Sequence, residues 1–230
     1  MGNSTLIWNA CNTLHGDKMQ YLPVFPDDSD FGPERTGARG RGPCRRLLAG
    51  ALAVGLLLAS VGAAPAFAAQ DDPRLDGLFT SLKATEDQAE AERLTGAIWS
   101  IWHQSGRVVV DEQMREGQWY MRHGILRSAL DDFSIVVAWA PDFAEAWHKR
   151  ATVHFMMGNY PASIADLHRT LVLEPRHFGA FANLGLIYLK LDEKRAALAA
   201  LEKALEINPH LLGARQKVQE LHDKLDGKKV

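Results

Sequence analysis

The chain has 230 residues, of which 47% are apolar and 23% are charged, an ordinary composition for a globular protein with a sizeable core. The formal net charge of -2 provides no overall attraction to nucleic acid or anionic lipid, so neither is expected as a partner. The only two cysteines, Cys11 and Cys44, precede every segment with a folding pattern, so we expect no disulfide in the folded part.

The first 68 residues have the composition of a leader segment. Residues 1–44 are rich in glycine, proline and aspartate and show no helical or strand period, so we predict that they are disordered or that the true start codon lies further downstream. Residues 45–68 combine arginines, an uncharged apolar run and the small-x-small sequence Ala66-Phe67-Ala68, which is the pattern of a secretory signal peptide. We therefore expect cleavage after Ala68 and a periplasmic location.

The apolar run leaves one alternative open. Residues 47–69 are uncharged and long enough to span a bilayer, so an uncleaved segment would make the protein a membrane-anchored assembly factor. The arginines on the N-terminal side of the run are expected to stay in the cytoplasm, so the chain that follows is exported in both cases.

Residues 69–107 are predicted to form an N-terminal helical hairpin. Apolar residues recur at helical spacing over residues 72–83, and again after a capping residue at Thr85 or Asp87. The hairpin has the length of a shortened first unit of the repeats that follow, and its expected role is a cap on the apolar face of the first repeat. Trp99 and Trp102 fit either core packing or the stacking of a ligand, and their helical spacing favours the core.

Residues 108–209 contain one pattern written three times. Pro141, Pro175 and Pro209 stand 34 residues apart, and small residues recur in register with them at Gly117, Ala151 and Gly185 and at Ala129, Ser163 and Ala197. A fixed period of this length indicates a stacked repeat array, and the small residues mark where the two helices of a repeat cross closely. The predicted repeats are residues 110–141, 144–175 and 178–209. One more helix fits into residues 210–230, as a C-terminal capping helix.

The period and its proline and small-residue columns resemble the tetratricopeptide repeat family. The resemblance implies an all-α fold, a solenoid of helical hairpins wound as a right-handed superhelix. It also implies a non-enzymatic scaffold that holds a protein or peptide partner, with no cofactor. The run 173–178 is similar to a stretch of exported alphaproteobacterial members of the family.

In this family the first helix of each repeat lines a concave groove that binds the partner. The groove positions that the resemblance implies here are Met114, Gln118, Met121, Arg122, Glu145, His148, Lys149, Thr152, Phe155, Met156, Asn183, Leu186, Leu189 and Lys190. This mostly apolar, methionine-containing lining is suited to an amphipathic or extended peptide. Alternatively, several of the methionines and leucines are buried against the terminal helices.

The lysines, arginine and asparagines with which some family members grip a chaperone's terminal carboxylate are mostly missing. Those positions hold Met114, Gln118, Lys149, Gly179 and Asn183. We therefore do not expect chaperone-tail binding.

Two polar residues of the second repeat stand at positions that the family usually fills otherwise. Arg150 replaces an apolar core residue and needs a carboxylate, which Asp132, Asp166 or Glu174 is expected to supply across the repeat interface. His154 replaces a tyrosine, and with His148 it offers the alternative of a metal site or a small-ligand activity. No catalytic motif stands in the sequence, so we expect no enzyme and no resident metal. Three repeats make a short array, for which a homodimer is plausible.

Overall fold

The structure, a computed structural model, describes residues 69–227. The predicted leader and signal peptide lie outside the described residues. Within this range there are nine α-helices, preceded by a single 3-10 turn at Ala69–Asp71, and no strand. The helices are α1 (Arg74–Ala84), α2 (Gln88–Trp102), α3 (Val108–Arg122), α4 (Leu126–Trp139), α5 (Ala144–Met156), α6 (Tyr160–Leu173), α7 (Phe178–Lys190), α8 (Lys194–Ile207) and α9 (Leu212–Leu225). None of these nine helices is both long and apolar enough to cross a membrane.

The pairs α3–α4, α5–α6 and α7–α8 are the three predicted repeats, and each pair packs closely where the sequence has small residues. A Cβ atom on Gly117 would lie 2.8 Å from the Phe133 ring, and one on Gly185 would lie 2.6 Å from Leu201 Cγ. Any larger residue at these two positions would push the helices of its repeat apart. The prediction that small residues mark a close crossing of the two helices of a repeat is therefore confirmed at Gly117 and Gly185.

Each repeat turns between its two helices through one residue in the left-handed region. Gly124 (φ 72°) and Gly158 (φ 75°) provide this conformation in the first two repeats, where glycine has no steric cost. Asp192 (φ 58°) provides it in the third, because aspartate tolerates this region better than most residues.

The C-terminal helix α9 packs on α8 as expected. Its apolar side buries Ala214 and Leu221 in the same cluster as Leu201 of α8, and its outer side exposes Arg215 and Lys224. The outer face of the last repeat is thereby covered by a helix whose other side is polar.

The N-terminal hairpin, α1 and α2, does not cover the first repeat, so that prediction is wrong. Its buried side chains belong to one apolar cluster with Phe178 and Ala182 of the third repeat. Val109 in the first repeat is 66% exposed, whereas the residues one and two periods later, Phe143 and His177, are buried. The physical reason is that α3 exposes charged residues, including Glu112, while α7 offers an aromatic and small surface.

Candidate functional site

Two tryptophans of α2 lie on the first helices of the second and third repeats. The Trp99 ring occupies a notch at Gly179, where a Cβ atom would lie only 2.8 Å from Trp99 Cη2. The same ring stacks on the imidazoles of His103 and His148, with centroid distances of 5.7 Å to each. Trp102 lies flat on His177 at 4.3 Å. The hairpin therefore covers the N-terminal parts of α5 and α7, which belong to the predicted groove.

The carboxylate of Glu145 is buried beneath Trp99, and side-chain nitrogen atoms of neighbouring residues lie close to both of its oxygens. Oε2 lies 3.1 Å from His148 Nδ1 and 3.0 Å from His177 Nε2. Oε1 lies 3.1 Å from Lys149 Nζ and 3.1 Å from His103 Nε2. We refer to these five residues, Glu145, His148, Lys149, His177 and His103, as the Glu145 cluster.

The charges in the cluster follow from burial and from the near ammonium group. Burial alone would raise the pKa of Glu145, but Lys149, His148 and His103 together hold that pKa well below its usual range. Burial lowers the pKa of His148 to about 4, although the negative charge of the neighbouring Glu145 acts to raise it. At neutral pH, Glu145 is therefore ionised and His148 is uncharged.

The hydrogen bonds define the tautomers of two histidines. The backbone N–H of Ala180 donates to His177 Nδ1 over 3.0 Å, so the His177 proton is on Nε2 and points at Glu145. Asn183 Nδ2 lies 3.1 Å from His148 Nε2 and donates to it, so the His148 proton is on Nδ1 and also points at Glu145. Thr152 supports this orientation, because its hydroxyl donates to the His148 carbonyl and accepts from Asn183.

Three members of the cluster have the spacing of metal ligands. Glu145, His148 and His177 each offer one ligand atom, and these atoms lie within 4.8 Å of one another. Both nitrogens that face the carboxylate carry protons, however, and Lys149 Nζ lies 3.1 Å from it. A cation would have to break the bonds to Ala180 and Asn183 and would be repelled by Lys149. These residues therefore fit a buried hydrogen-bond network that joins α5 and α7 better than they fit a metal centre.

The structure does not bring the predicted histidine pair together. His148 belongs to the Glu145 cluster, whereas His154 Nε2 lies 4.0 Å from Asp166 Oδ2 and its pKa is lowered, mainly by burial. His148 instead neighbours His177, whose ring centroid is 4.4 Å away. The alternative of a site built from His148 and His154 is therefore wrong.

Arg150 pairs with Asp166, one of its three predicted partners. Arg150 Nε and Nη2 donate to the two carboxylate oxygens of Asp166, each over 2.7 Å, and the guanidinium lies 4.9 Å from the centroid of the Trp147 ring. The prediction of a carboxylate partner is confirmed, but its predicted place is wrong. Asp166 lies on α6 of the same repeat, not across a repeat interface.

The third repeat is similar to a known protein family. Residues 179–211, which cover α8 and all of α7 except Phe178, match the family model described as "Tetratricopeptide repeat". The third repeat is a tetratricopeptide repeat (TPR), and we call the three repeats together the TPR array. A TPR repeat-containing protein of Rhizobium etli is 37% identical over 114 residues, which are 50% of this chain and 56% of the relative. The match thus spans little more than half of the relative's length.

Two solved structures are also similar to part of the chain. The first TPR of Spaghetti (RPAP3), bound to an HSP90 peptide, is 18% identical with a TM-score of 0.49, and the match covers 51% of this chain and 93% of that one. MamA is 24% identical with a TM-score of 0.49, and the match covers 62% of this chain and 86% of that one.

The predicted groove positions of the TPR array separate into three sets. Met114 and Met121 are buried in the apolar cluster of the first repeat. Five residues are buried in or beside the Glu145 cluster: Glu145, His148, Lys149, Thr152 and Asn183. Seven remain partly or fully exposed, and we call them the open groove segment: Gln118, Arg122, Phe155, Met156, Leu186, Leu189 and Lys190.

The sequence did not indicate His103 or His177 as members of a polar cluster. Both stand just outside helices, His103 as the C-cap of α2 and His177 as the N-cap of α7. His148 and Lys149 stand three and four residues after Glu145, so these three polar side chains share one side of α5, which is the local signal in the sequence. His103 and His177 come from distant parts of the chain.

Proposed function

We propose that the TPR array holds a protein or peptide partner in the bacterial periplasm or cell envelope and performs no chemistry of its own. The observation that carries this proposal is the open groove segment. It leaves an apolar surface exposed on the first helices of consecutive repeats, where a TPR array presents its groove. Met156, at the end of α5, is 41% exposed.

The repeat register arranges the segment into columns across the first helices. Phe155 and Leu189 stand one period apart, and Met156 stands one period from both Arg122 and Lys190. In this register, the exposed Met156 stands in one column with two exposed cations, Arg122 of the first repeat and Lys190 of the third. This combination favours a peptide with apolar anchors and acidic residues beside them.

Selection from a random peptide display library on the purified protein tests the proposal. We expect apolar sequences with acidic neighbours, and at least ten-fold weaker binding of the selected peptide to a Met156→Glu variant. Val172→Glu is the matched control, since Val172 is also an exposed apolar residue but lies on α6, a second helix. Equal losses in both variants, or the absence of any specific peptide, would contradict the proposed site.

The envelope location rests on the pattern of residues 45–68, with arginines, an apolar run and a small-x-small site. The test is the intact mass of the protein recovered from fractionated cells. We expect a periplasmic protein that begins at Ala69. A membrane-bound protein that retains residues 47–69 would favour the anchored assembly factor, and a full-length cytoplasmic protein would contradict export.

A further inference from the structure

We propose that the α1–α2 hairpin is an intramolecular ligand of the TPR groove, and that a partner helix with two aromatic residues three positions apart exchanges with it. This inference rests on the proposed binding function and adds how part of the groove is regulated. It concerns the covered part of the groove, whereas the open groove segment is accessible without any change in the hairpin.

The covered part of the groove has specific receptors for an aromatic pair on one helix. Trp99 fits the notch at Gly179, and its ring also contacts His177 and Phe178 edge-on at 5.4 Å each. Trp102, one turn later, lies within 8° of parallel to His177. The recognition is therefore by shape and ring stacking, and any helix with the same pair can satisfy it.

The contact between hairpin and groove also contains groups that are costly to bury. Glu145 and Lys149 are both removed from water beneath α2, and both regain solvation when the hairpin leaves. The indole Nε1 of Trp102 is buried and has no hydrogen-bond partner among residues 69–227. These deficits lower the free energy of opening relative to an apolar interface of the same size.

The hairpin is connected so that it can move as a unit. A short segment after α2 joins it to α3, with Gly106 in the left-handed region (φ 74°). Its polar contacts at the rim include the ion pair of Arg176 with the highly exposed Asp76, a 3.2 Å hydrogen bond from Asn208 to Thr95, and a 3.1 Å contact of His210 Nε2 with the Leu82 carbonyl oxygen. Opening breaks these contacts without breaking any helix.

A partner helix can replace the hairpin only if it competes with a ligand that belongs to the same chain. Because the hairpin is tethered, its effective concentration at the groove is on the order of millimolar, and a free partner must compete with it. The apparent affinity of the partner is reduced by the fraction of molecules that are open. A variant that weakens the hairpin must therefore bind an external aromatic helix more tightly than the wild type does.

The test uses a fluorescent peptide of residues 86–105 as the probe and two hosts, the wild-type protein and a Trp99→Ala/Trp102→Ala variant. We expect the variant to bind the peptide at least ten-fold more tightly than the wild type, as a one-to-one complex by native mass spectrometry. The same peptide with alanine at both tryptophans should not bind. Adding Gly179→Ala to the variant host should abolish binding, whereas Gly77→Ala, whose Cβ meets nothing within 4 Å, should not.

Hydrogen exchange on the wild-type protein keeps the test decisive if the double variant does not fold. We expect amides of α2 to exchange at least ten-fold faster than those of α7. Equal protection of both helices with equal denaturant dependence would overturn the proposal, as would a peptide that binds both hosts equally or neither. A wild-type dimer in which each protomer's hairpin occupies the other protomer's groove would identify a second copy of this chain as the occupant. That result would overturn the proposal of a separate partner helix.

The two proposals fail separately. Loss of the exchange effect, with display-selected peptides still dependent on Met156, leaves the scaffold function and removes the hairpin's role as a ligand. Exchange without any binding at Met156 removes the open groove segment as the partner site.

Discussion

The indole of Trp102 lies on the imidazole of His177, with centroids 4.3 Å apart and planes within 8° of parallel. The same imidazole accepts the N–H of Ala180 at the start of α7 and donates to Glu145 on α5. One histidine thus joins the hairpin, the third repeat and the buried carboxylate of the second. The part of the predicted groove at the start of α5 and α7 is thereby buried in the interior of the chain, while the open groove segment stays exposed.

The carboxylate of Glu145 is expected to be essential to this arrangement. Glu145→Gln removes the negative charge that lies 3.1 Å from Lys149 Nζ in a buried setting, so it should cost about 3–5 kcal/mol in the free energy of unfolding. Glu112→Gln is the control, because that carboxylate is exposed and should change stability by less than about 0.5 kcal/mol. Urea unfolding followed by circular dichroism measures both, and equal effects would show that the buried pair contributes nothing.

The free energy of unfolding should decrease as the pH is lowered below 6.5, because His148 is harder to protonate in the native protein than in the unfolded chain. In the native state its pKa is lowered from 6.5 to about 4, so between these values the unfolded chain binds a proton that the native protein does not. The free energy of unfolding therefore decreases by up to about 1.4 kcal/mol for each pH unit, which is on the order of 3 kcal/mol between pH 6.5 and about 4. The depressed pKa of Glu145 adds a further loss in the same direction, at pH values below about 4.5.

The measurement is the free energy of unfolding between pH 4.5 and 7.5. We expect His148→Gln to be less stable at pH 7.5 and to show a shallower decline toward low pH, because the titrating group is gone. His168→Gln replaces an exposed histidine and should keep the wild-type slope. An unchanged slope in His148→Gln would assign the pH dependence to other groups.

The sequence predicted the repeats because their determinants are local. Gly117 meets Phe133 and Gly185 meets Leu201 within single helical pairs, so a 34-residue period contains most of the information needed to place each helix. The left-handed turn at Gly124 is likewise a local requirement. For these features, the pattern and the structure agree to within a few residues.

The location of the hairpin could not be predicted in the same way. The helical spacing of Trp99 and Trp102 shows that both face one side of α2, but it fits any apolar surface. What selects the third repeat is the notch at Gly179 and the flat face of His177, about 80 residues later in the chain. The repeat register predicts the groove positions as a set of columns, but it does not indicate which of them the hairpin covers.

The pair of Arg150 and Asp166 should stabilise the second repeat through its charge and not only through contact with Trp147. Arg150→Met leaves a partly desolvated carboxylate at Asp166, so we expect a loss of about 1–3 kcal/mol. A double-mutant cycle with Asp166→Asn should give a coupling energy of about 0.5–3 kcal/mol. Arg169→Met is the matched control, because Arg169 also lies over the Trp147 ring, at 5.8 Å, but is exposed. Unchanged or increased stability of Arg150→Met would contradict a structural ion pair.

The close approach of α7 and α8 should make Ala197 intolerant of a larger side chain. Ala197 is fully buried, and its carbonyl oxygen lies 3.4 Å from the position that a Cβ atom on Gly185 would take. The isopropyl group by which leucine exceeds alanine has no free volume there, so Ala197→Leu should force the two helices of the third repeat apart and cost about 1–3 kcal/mol. Ala199→Leu places the same side chain on the exposed side of α8 and should be close to neutral, because leucine and alanine have similar helix propensities. Thermal unfolding distinguishes them: a lower melting temperature is expected only for Ala197→Leu, and equal melting temperatures would mean that this column does not set the helix spacing.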